Sequence, residues 1–272
     1  MGKLSLKNKL AVISGASGGL GGELVRLFVE NGCRVIGIGR RREAMEALSK
    51  HCGDAFSYEL FDVSEKAAWQ SLAKRLNAEG ARVDFLVNNA GMLPSFDRFR
   101  ESGGASVAEG VMRVNYLSAL YATEAFLPLL RQSDSPAVLN VASAAALCPM
   151  AGSGAYSASK AALRAFTECF AAEERSWLSV TLACPGFTKT RIFREQKNTS
   201  ENKWIARISA DVTKTARKIF RAFVKRKRTV SLGVDTALLR LLRFFTGSRA
   251  PRVIHGILKK VNDPLFFDVF RD

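Results

Sequence analysis

The feature that most constrains the fold is a regular alternation of short apolar segments with longer amphipathic ones. The short segments are mostly apolar without strict alternation, and they occupy residues 10–13, 34–38, 56–61, 83–87, 137–141 and 179–183. Such strands are typical of a parallel sheet that is buried on both faces. Helical apolar spacing is found between them, at residues 23–31, 43–50, 64–79, 105–130 and 155–174. The pattern predicts a doubly wound α/β fold, because right-handed crossovers place helices on both faces of such a sheet.

No internal boundary divides this pattern into separate domains. The chain of 272 residues is 47% hydrophobic, and it has no linker rich in Pro, Ser or Gly and no repeat of solenoid period. We therefore expect one domain over residues 1–272, long enough to bury a large core. Within it, residues 187–272 are expected to supply a substrate lid and a basic helical extension.

A glycine-rich turn joins the first strand to the first helix. Its sequence, at residues 14–21, is SGASGGLG. A helix N-terminus offers unpaired N–H groups and a partial positive charge, and glycine lets the backbone approach a phosphate closely. An ordinary glycine-rich turn is the alternative. The turn falls where a dinucleotide fold needs its pyrophosphate site, and its candidate cofactor contacts are Gly15, Ser17, Gly19, Leu20 and Gly21.

The end of the second strand indicates which dinucleotide is preferred. Gly39 stands there, followed by Arg40 and Arg41. A carboxylate at this point would accept hydrogen bonds from a ribose 2′-hydroxyl and repel a 2′-phosphate, whereas arginine can bind the phosphate. We therefore expect NADP(H), with both arginines near its 2′-phosphate. The alternative is a solvated arginine run that opens a helix.

A tyrosine and a lysine four residues apart carry the candidate chemistry. Tyr156 and Lys160 fall near the start of the helix at 155–174 and therefore share one face. A free phenol has a pKa of about 10, and a neighbouring ammonium lowers it by stabilising the phenolate. Such a phenol can act as a general acid on a carbonyl or as a general base on an alcohol. The bare spacing is a weak signal, because chance often places this pair on a helix.

Seven motifs in a fixed order give this pair its significance. They are SGxxxGxG at 14–21, Asp62-Val63, NNAG at 88–91, Asn115, Ser143, Tyr156-x3-Lys160 and Pro185-Gly186. Their order and spacing resemble those of the short-chain dehydrogenase/reductase family, in its classical branch. The resemblance covers residues 6–190, about two thirds of the chain, and implies a Rossmann-like parallel sheet of about seven strands.

The resemblance implies a role for each matched residue. Ser143 is expected to orient the substrate oxygen, and Tyr156 to exchange a proton with it. Lys160 is expected to bind the nicotinamide ribose and to lower the pKa of Tyr156, and Asn115 to hold a water that relays protons to Lys160. The expected cofactor contacts are Asp62 and Val63 at the adenine, Asn89, Ala90 and Gly91 along the cleft, and Pro185, Gly186, Thr188 and Thr190 at the nicotinamide.

Some of these positions also have a purely structural interpretation. Asn89 and Asn115 could serve only as hydrogen-bond partners of the backbone. The departures from the family pattern are small. Ser14 replaces the usual threonine but keeps its hydroxyl, and Ala142 stands where many members have a second serine. Gly18 stands where some NADPH users carry a basic residue, so phosphate binding would depend more on Arg40.

Positive charge is concentrated in the last third of the chain. Residues 1–188 contain 20 Lys and Arg against 18 Asp and Glu, whereas residues 189–272 contain 21 against 7. The pattern predicts basic amphipathic helices at 211–228, 236–245 and 251–261, with a last strand at 229–234. In the simplest interpretation these helices pack on the sheet. The alternatives are contact with an anionic membrane surface or with an acidic carrier protein, while nucleic acid is disfavoured because no known module is recognisable.

The segment after Pro185-Gly186, residues 187–208, is expected to form the lid over the substrate. It is rich in large apolar residues, namely Phe187, Ile192, Phe193, Trp204 and Ile205. This composition favours a small-molecule substrate with an apolar portion. Ordinary core packing of the same side chains is the alternative.

Two classes of function follow from these features. The favoured one is an NADP(H)-dependent oxidoreductase that interconverts a carbonyl and an alcohol on a hydrophobic, lipid-like substrate. The other is a non-catalytic NADPH-binding or membrane-surface interaction protein on the same fold. The set Asn115, Ser143, Tyr156 and Lys160 favours the enzyme, because a pure binder would not need it.

The cysteine and histidine content indicates the cellular compartment and argues against a metal site. Five cysteines of irregular spacing and two distant histidines predict neither a disulfide framework nor a metal site. We therefore expect a cytoplasmic protein, with peripheral membrane association as a variant. A homo-oligomer that pairs through the helices at 105–130 and 155–174 would follow the family's habit, but the extra C-terminal helices could block those contacts.

Overall fold

One parallel sheet runs through the computed structural model, which describes residues 2–94, 96–99, 101, 103–189, 209–261 and 269. The sheet has the strand order β3-β2-β1-β4-β5-β6-β7, and every neighbouring pair is parallel. The strands are β1 (Leu10–Ser14), β2 (Arg34–Gly39), β3 (Phe56–Leu60), β4 (Phe85–Asn88), β5 (Ala137–Val141), β6 (Ser179–Pro185) and β7 (Thr229–Leu232). This confirms the predicted α/β class and the predicted strand positions to within a few residues.

The helices cover both faces of this sheet. In chain order they are α1 (Gly19–Glu30), α2 (Arg42–Cys52), α3 (Lys66–Ala78), α4 (Gly104–Met112), α5 (Ser118–Leu130), α6 (Gly154–Glu173), α7 (Val212–Val224), α8 (Val234–Thr246) and α9 (Ala250–Val261). Alternate residues of β1 divide between two cores, as the pleat of a strand requires. Ala11 and Ile13 pack with α1, α2 and α7, whereas Leu10 and Val12 pack with α3, α5 and α6.

Helix α7 shows why part of the basic C-terminal region belongs to the core. Asp211 caps its N-terminus, because the carboxylate accepts a hydrogen bond from Lys214 N at 2.9 Å. On its apolar face, Phe223 lies 5.6 Å from the ring of Phe85, and Phe220 lies 5.2 Å from Phe28. The simplest interpretation, apolar side down with the charges solvated, therefore holds for this helix.

The helix predicted at 105–130 is the element that differs most from its expectation. It is interrupted by a π-helical turn at Arg113–Leu117, which separates α4 from α5. A π turn inserts one extra residue and rotates the side chains that follow it, and such turns are frequent at functional sites. Here the turn contains the buried Asn115, whose side chain bonds to the loop after β4.

Some sequence predictions fall outside the described residues. Thr190 and almost all of the predicted lid at 187–208 belong to this group. The assignment of a single domain to the whole chain also stays a prediction. Within the described residues, none of the helices is long and apolar enough to cross a membrane.

The aromatic packing under α7 generates a test of the core. Phe223 is fully buried, so Phe223→Ala leaves a cavity and should lower the free energy of unfolding by about 3–5 kcal/mol. Urea denaturation followed by circular dichroism would measure this loss. The matched control is Phe245→Ala, whose side chain is 74% exposed and should change stability by no more than about 0.5 kcal/mol. Equal losses in the two variants would contradict the packing of α7 on the sheet.

Candidate active site

A cleft of about 660 Å³ opens at the carboxyl ends of the strands. It lies where the strand order reverses, with β1 between β2 and β4. In open α/β sheets this reversal leaves a crevice, because successive crossover helices move to opposite faces. The cleft is polar and glycine-rich at the end of β1 and mostly apolar beyond β5 and β6.

The glycine turn lies so close to the residues that follow β4 that side chains are excluded. Gly15 has a left-handed φ of 67°, and a Cβ atom on it would lie 2.8 Å from the Cα of Ala90. A Cβ on Gly21 would collide with the carbonyl oxygen of Gly15. Gly18 precedes α1 and has no side chain to cap it, so the first N–H groups of the helix stand at the cleft. This cradle of backbone donors fits a pyrophosphate.

The hydroxyl of Ser14 fixes the distance between the turn and β4. Its Oγ accepts hydrogen bonds from Asn89 N at 3.0 Å and Ala90 N at 3.1 Å, and it donates to Val87 O at 3.3 Å. The amide of Asn89 returns a bond to Ser14 O at 3.0 Å. Asn89 thus has the backbone partners that its structural interpretation requires, while it also lines the cleft.

Two arginines stand at the far end of the cleft from Tyr156. The Arg40 guanidinium lies 3.0 Å from a carboxylate oxygen of Asp62, and its side chain is 73% exposed. Arg41 donates to the carbonyl of Ser17 in the glycine turn. A backbone hydrogen bond from Ser64, together with the arginine, lowers the pKa of Asp62 below its usual value despite partial burial. Asp62 therefore stays ionised. It is the partner of Arg40, for whose charge the sequence pattern had indicated no partner.

Lys160 is buried at the centre of the cleft. Its Nζ donates to Val141 O at 3.0 Å, and the side chain is 4% exposed. A Cβ on Gly91 would lie 3.2 Å from this Nζ, so a larger residue there would press on the lysine amine. Burial lowers the pKa of Lys160 to about 8, which leaves the amine mostly protonated at neutral pH.

Tyr156 and Ser143 meet beside this lysine. Tyr156 keeps partial exposure at the cleft, and the protein packed around its hydroxyl raises its pKa, while a hydrogen bond with Ser143 partly offsets the rise. Ser143 lies two residues after the end of β5 and caps the short helical turn that follows, since its Oγ accepts from Ala145 N at 3.2 Å. Desolvation is the largest influence on the pKa of this phenol, and the lowering of that pKa by Lys160 stays a prediction.

Asn115 does not line the cleft. Its Oδ1 accepts from Met92 N at 2.7 Å, and its Nδ2 donates to Met92 O at 2.9 Å and to Ser159 Oγ at 3.0 Å. These three bonds tie the π turn to the loop after β4 and to α6. They are the contacts that a structural role requires, and the proton-relay role stays a prediction.

The loop after β6 closes the cleft on its other side. Thr188 is 5% exposed and donates to Gly186 O at 3.0 Å. Phe187 N donates to the carboxylate of Asp235 in α8 at 2.6 Å. Burial raises the pKa of this carboxyl, and three backbone hydrogen bonds partly offset the rise. Asp235 thus joins α8 to the loop predicted to meet the nicotinamide, a contact that the motifs did not indicate.

The cleft collects nearly all of the predicted cofactor and catalytic residues. Those that line it are Gly15, Ser17, Gly19, Leu20, Gly21, Arg40, Arg41, Asp62, Val63, Asn89, Ala90, Gly91, Ser143, Tyr156, Lys160, Pro185, Gly186 and Thr188. The cleft also has an apolar wall, formed by Leu93, Pro94, Phe96, Met150, Phe187 and Leu239. Of these residues, the sequence had indicated only Phe187 as a contact of the substrate. The amphipathic period of residues 236–245 was a signal for Leu239, but it did not show which face meets the cleft.

These features define a dinucleotide-binding site of the kind found in α/β oxidoreductases. A family model described as short chain dehydrogenase matches residues 9–201. An uncharacterised oxidoreductase of Staphylococcus saprophyticus is 33% identical over 192 residues, which cover 69% of this chain and 77% of that protein. The chain belongs to the short-chain dehydrogenase/reductase family.

Two further proteins place the chain within this family. The NADP-dependent 3-hydroxy acid dehydrogenase YdfG of Salmonella typhi is 34% identical over 160 residues, which cover 58% of this chain and 63% of that protein. The crystal structure of a short-chain dehydrogenase from Streptomyces avermitilis superposes with a TM-score of 0.77 at 27% identity, covering 94% of this chain and 98% of the other. The fold of the relatives thus extends beyond the residues matched by the family model.

The burial of Lys160 generates a test by pH. Its pKa is about 8 in the folded protein and 10.5 in an exposed lysine, so between these values the unfolded chain binds more protons at this site. The contribution of Lys160 to stability therefore rises with pH across that window, by up to about 1.4 kcal/mol per pH unit. In urea unfolding without cofactor, the free energy of unfolding of wild type should rise relative to that of Lys160→Met between about pH 8 and about pH 10. A difference that stays constant across this range would contradict the burial.

Proposed function

We propose that this chain is an NADP(H)-dependent oxidoreductase that interconverts a carbonyl and an alcohol, with Tyr156 as the proton donor and acceptor. The observation that carries the proposal is the meeting of Ser143, Tyr156 and Lys160 in one cleft. This cleft has a phosphate cradle at one end and an apolar wall at the other. A bound nicotinamide would supply or accept the hydride, and the chain's own residues perform the proton chemistry.

Tyr156 is suited to donate a proton to a carbonyl oxygen. Because its pKa is raised by burial, the phenol holds its proton at neutral pH, as a general acid must. The hydroxyl of Ser143 is the second donor, and together they can fix the position of the substrate oxygen. A phenolate that forms as the proton leaves would be stabilised by the nearby ammonium of Lys160. The same groups, used in reverse, remove a proton from an alcohol.

The charges along the cleft indicate which end of the cofactor would lie at which end of the cleft. The backbone donors of the glycine turn would bind the pyrophosphate, and Lys160 the nicotinamide ribose. Arg40 and Arg41 carry positive charge to the end of β2, where Gly39 offers no carboxylate to repel a 2′-phosphate. The similarity to an NADP-dependent dehydrogenase agrees with this preference. Asp62 would then exchange part of its contact with Arg40 for the adenosine.

The substrate is proposed to be hydrophobic. Leu93, Phe96, Met150 and Phe187 form one apolar cluster, against which Tyr156 packs, and Leu239 joins it from α8. A site lined mainly by apolar side chains with a few convergent polar groups selects ligands by buried apolar area and orients them by hydrogen bonds. A lipid-like ketone or alcohol has this combination. The polar group would lie at Ser143 and Tyr156, and the chain along the apolar wall.

A non-catalytic NADPH-binding protein is the second candidate. The exposed Arg40–Asp62 pair and the glycine turn would serve a binder equally well. Such a protein could also use Lys160 for the nicotinamide ribose, but it gains nothing from the hydroxyls of Ser143 and Tyr156 in the same cleft. The oxidoreductase explains this pair of hydroxyls, and the binder does not. A homo-oligomeric state and a cytoplasmic location also stay predictions.

Removing the phenolic hydroxyl tests the catalytic assignment. Tyr156→Phe should lower turnover by at least about 10²-fold, because general acid catalysis is lost, while NADPH still binds. NADPH oxidation would be measured across steroids, ketoacyl thioesters, long-chain ketones and small aldehydes, and NADPH binding by fluorescence. The matched control is Tyr121→Phe in α5, which does not line the cleft. Full activity of Tyr156→Phe would refute the assignment, and a wild type inactive on the whole panel would favour the binder.

Removing one guanidinium tests the cofactor assignment. Arg40→Ala should weaken NADPH binding by about tenfold and leave NADH binding nearly unchanged, because a charge-assisted contact with the 2′-phosphate is lost. Arg42→Ala removes the same charge two residues away, outside the cleft lining, and should change neither affinity. Isothermal titration calorimetry would measure the dissociation constants of wild type and both variants for NADPH and for NADH. Equal affinity of wild type for NADH and NADPH would overturn the preference.

A further inference from the structure

Helix α8 presents a large apolar stripe to solvent. Its exposed side chains are Val234 at 79%, Leu238 at 61%, Leu241 at 55%, Phe244 at 81% and Phe245 at 74%. They recur at helical spacing along the face that points away from the protein. An exposed contiguous apolar patch is rare on a monomer and marks an interaction surface. This stripe is therefore a feature that the proposed reaction does not explain.

The opposite face of α8 is firmly attached, so the stripe is not the result of a loose helix. Thr236 is fully buried and donates to Leu232 O at 2.7 Å, and Asp235 accepts the bond from Phe187 N. Leu239 and Leu242 pack against the apolar cluster at the cleft. Helix α8 is thus apolar on two sides, and only one of these sides packs against the core.

The next helix repeats this arrangement. In α9, Ile254 and Leu258 are 5% exposed and face the core, whereas Val253 and Ile257 are 38% and 48% exposed. The two helices contact each other. The exposed apolar residues of α8 and α9, which we name the α8–α9 face, are therefore Val234, Leu238, Leu241, Phe244, Phe245, Val253 and Ile257.

Charge around the α8–α9 face identifies its partner. Residues 234–261 contain six basic side chains and one acidic one, Asp235, which is turned inward to Phe187 N. The exposed basic residues are Arg240, Arg249, Arg252, Lys259 and Lys260. Aromatic and leucine side chains bordered by arginine and lysine are the composition of helices that lie in the interface of an anionic bilayer. A second copy of the chain would bring like charges together, which disfavours self-association through this face.

We propose that the α8–α9 face docks on an anionic lipid surface, with the apolar side chains inserted among the acyl chains and the basic ones at the headgroups. Leu239 lines the cleft from the inner side of the same helix. Docking would therefore place the apolar wall of the cleft next to the bilayer, a consequence that rests on the proposed function. The docking itself does not depend on catalysis, and a binding assay tests it separately.

The test is sedimentation of the full chain with sucrose-loaded vesicles. We expect binding to phosphatidylcholine vesicles that contain about 30% phosphatidylglycerol, weak binding to pure phosphatidylcholine, and release when NaCl is raised from about 20 mM to about 500 mM. Phe244→Ser/Phe245→Ser should reduce the partition coefficient at least tenfold. Both side chains are highly exposed, so the variant should fold, as its circular dichroism and melting temperature would verify.

A charge-matched pair of variants separates the face from the net charge. Lys259→Glu/Lys260→Glu should reduce binding at least tenfold, whereas Lys50→Glu/Lys74→Glu makes the same change on exposed residues of α2 and α3 and should have a much smaller effect. Absence of binding to anionic vesicles at low salt would overturn the proposal. Unchanged binding of the Phe244→Ser/Phe245→Ser variant would also overturn it. A dimer in analytical ultracentrifugation that this variant abolishes would replace the bilayer by a second copy.

Discussion

The close approach of the glycine turn to the loop after β4 is the constraint on which the site depends. Gly15 and Gly21 pack where no side chain fits, and Ser14 holds the turn to the backbone of Asn89 and Ala90. This contact sets the floor of the cleft, because the first N–H groups of α1 and the loop that carries Gly91 are aligned by it. Gly91 in turn leaves space for the buried amine of Lys160. The phosphate cradle and the proton-transfer group are therefore parts of one packed unit.

Most of the fold could be predicted from the sequence because its signals are local. The strands are short apolar runs, and the helices between them have a period of 3.6 residues, so their positions follow from side-chain spacing alone. The glycine turn and the Tyr156–Lys160 pair were also accessible, since each lies within eight residues of chain. Their gathering at one edge followed from the parallel order, in which carboxyl ends of strands lie side by side.

The remaining features depend on contacts between distant residues, which spacing does not encode. The pairing of Arg40 with Asp62 spans 22 positions, and the bonds of Asn115 to Met92 and Ser159 depend on a π turn that no local pattern indicated. Helix α8 shows a different limit. A helical period of apolar residues identifies the buried face of a helix only when the opposite face is polar. In α8 both faces are apolar. The sequence therefore could not distinguish the face of Leu239, which meets the cleft, from the face of Phe245, which meets solvent.

The three hydrogen bonds of Ser14 also have a consequence for sequence divergence. Its oxygen accepts twice and donates once, and its site is 3% exposed, so the residue must be small and must carry a hydroxyl. Alanine would remove the side-chain acceptor of the two N–H groups, those of Asn89 and Ala90. Only threonine offers the same donor and acceptor from the same atom. Serine and threonine are therefore the two residues that keep all three bonds at position 14, a constraint that packing imposes on a side chain with no assigned part in the chemistry.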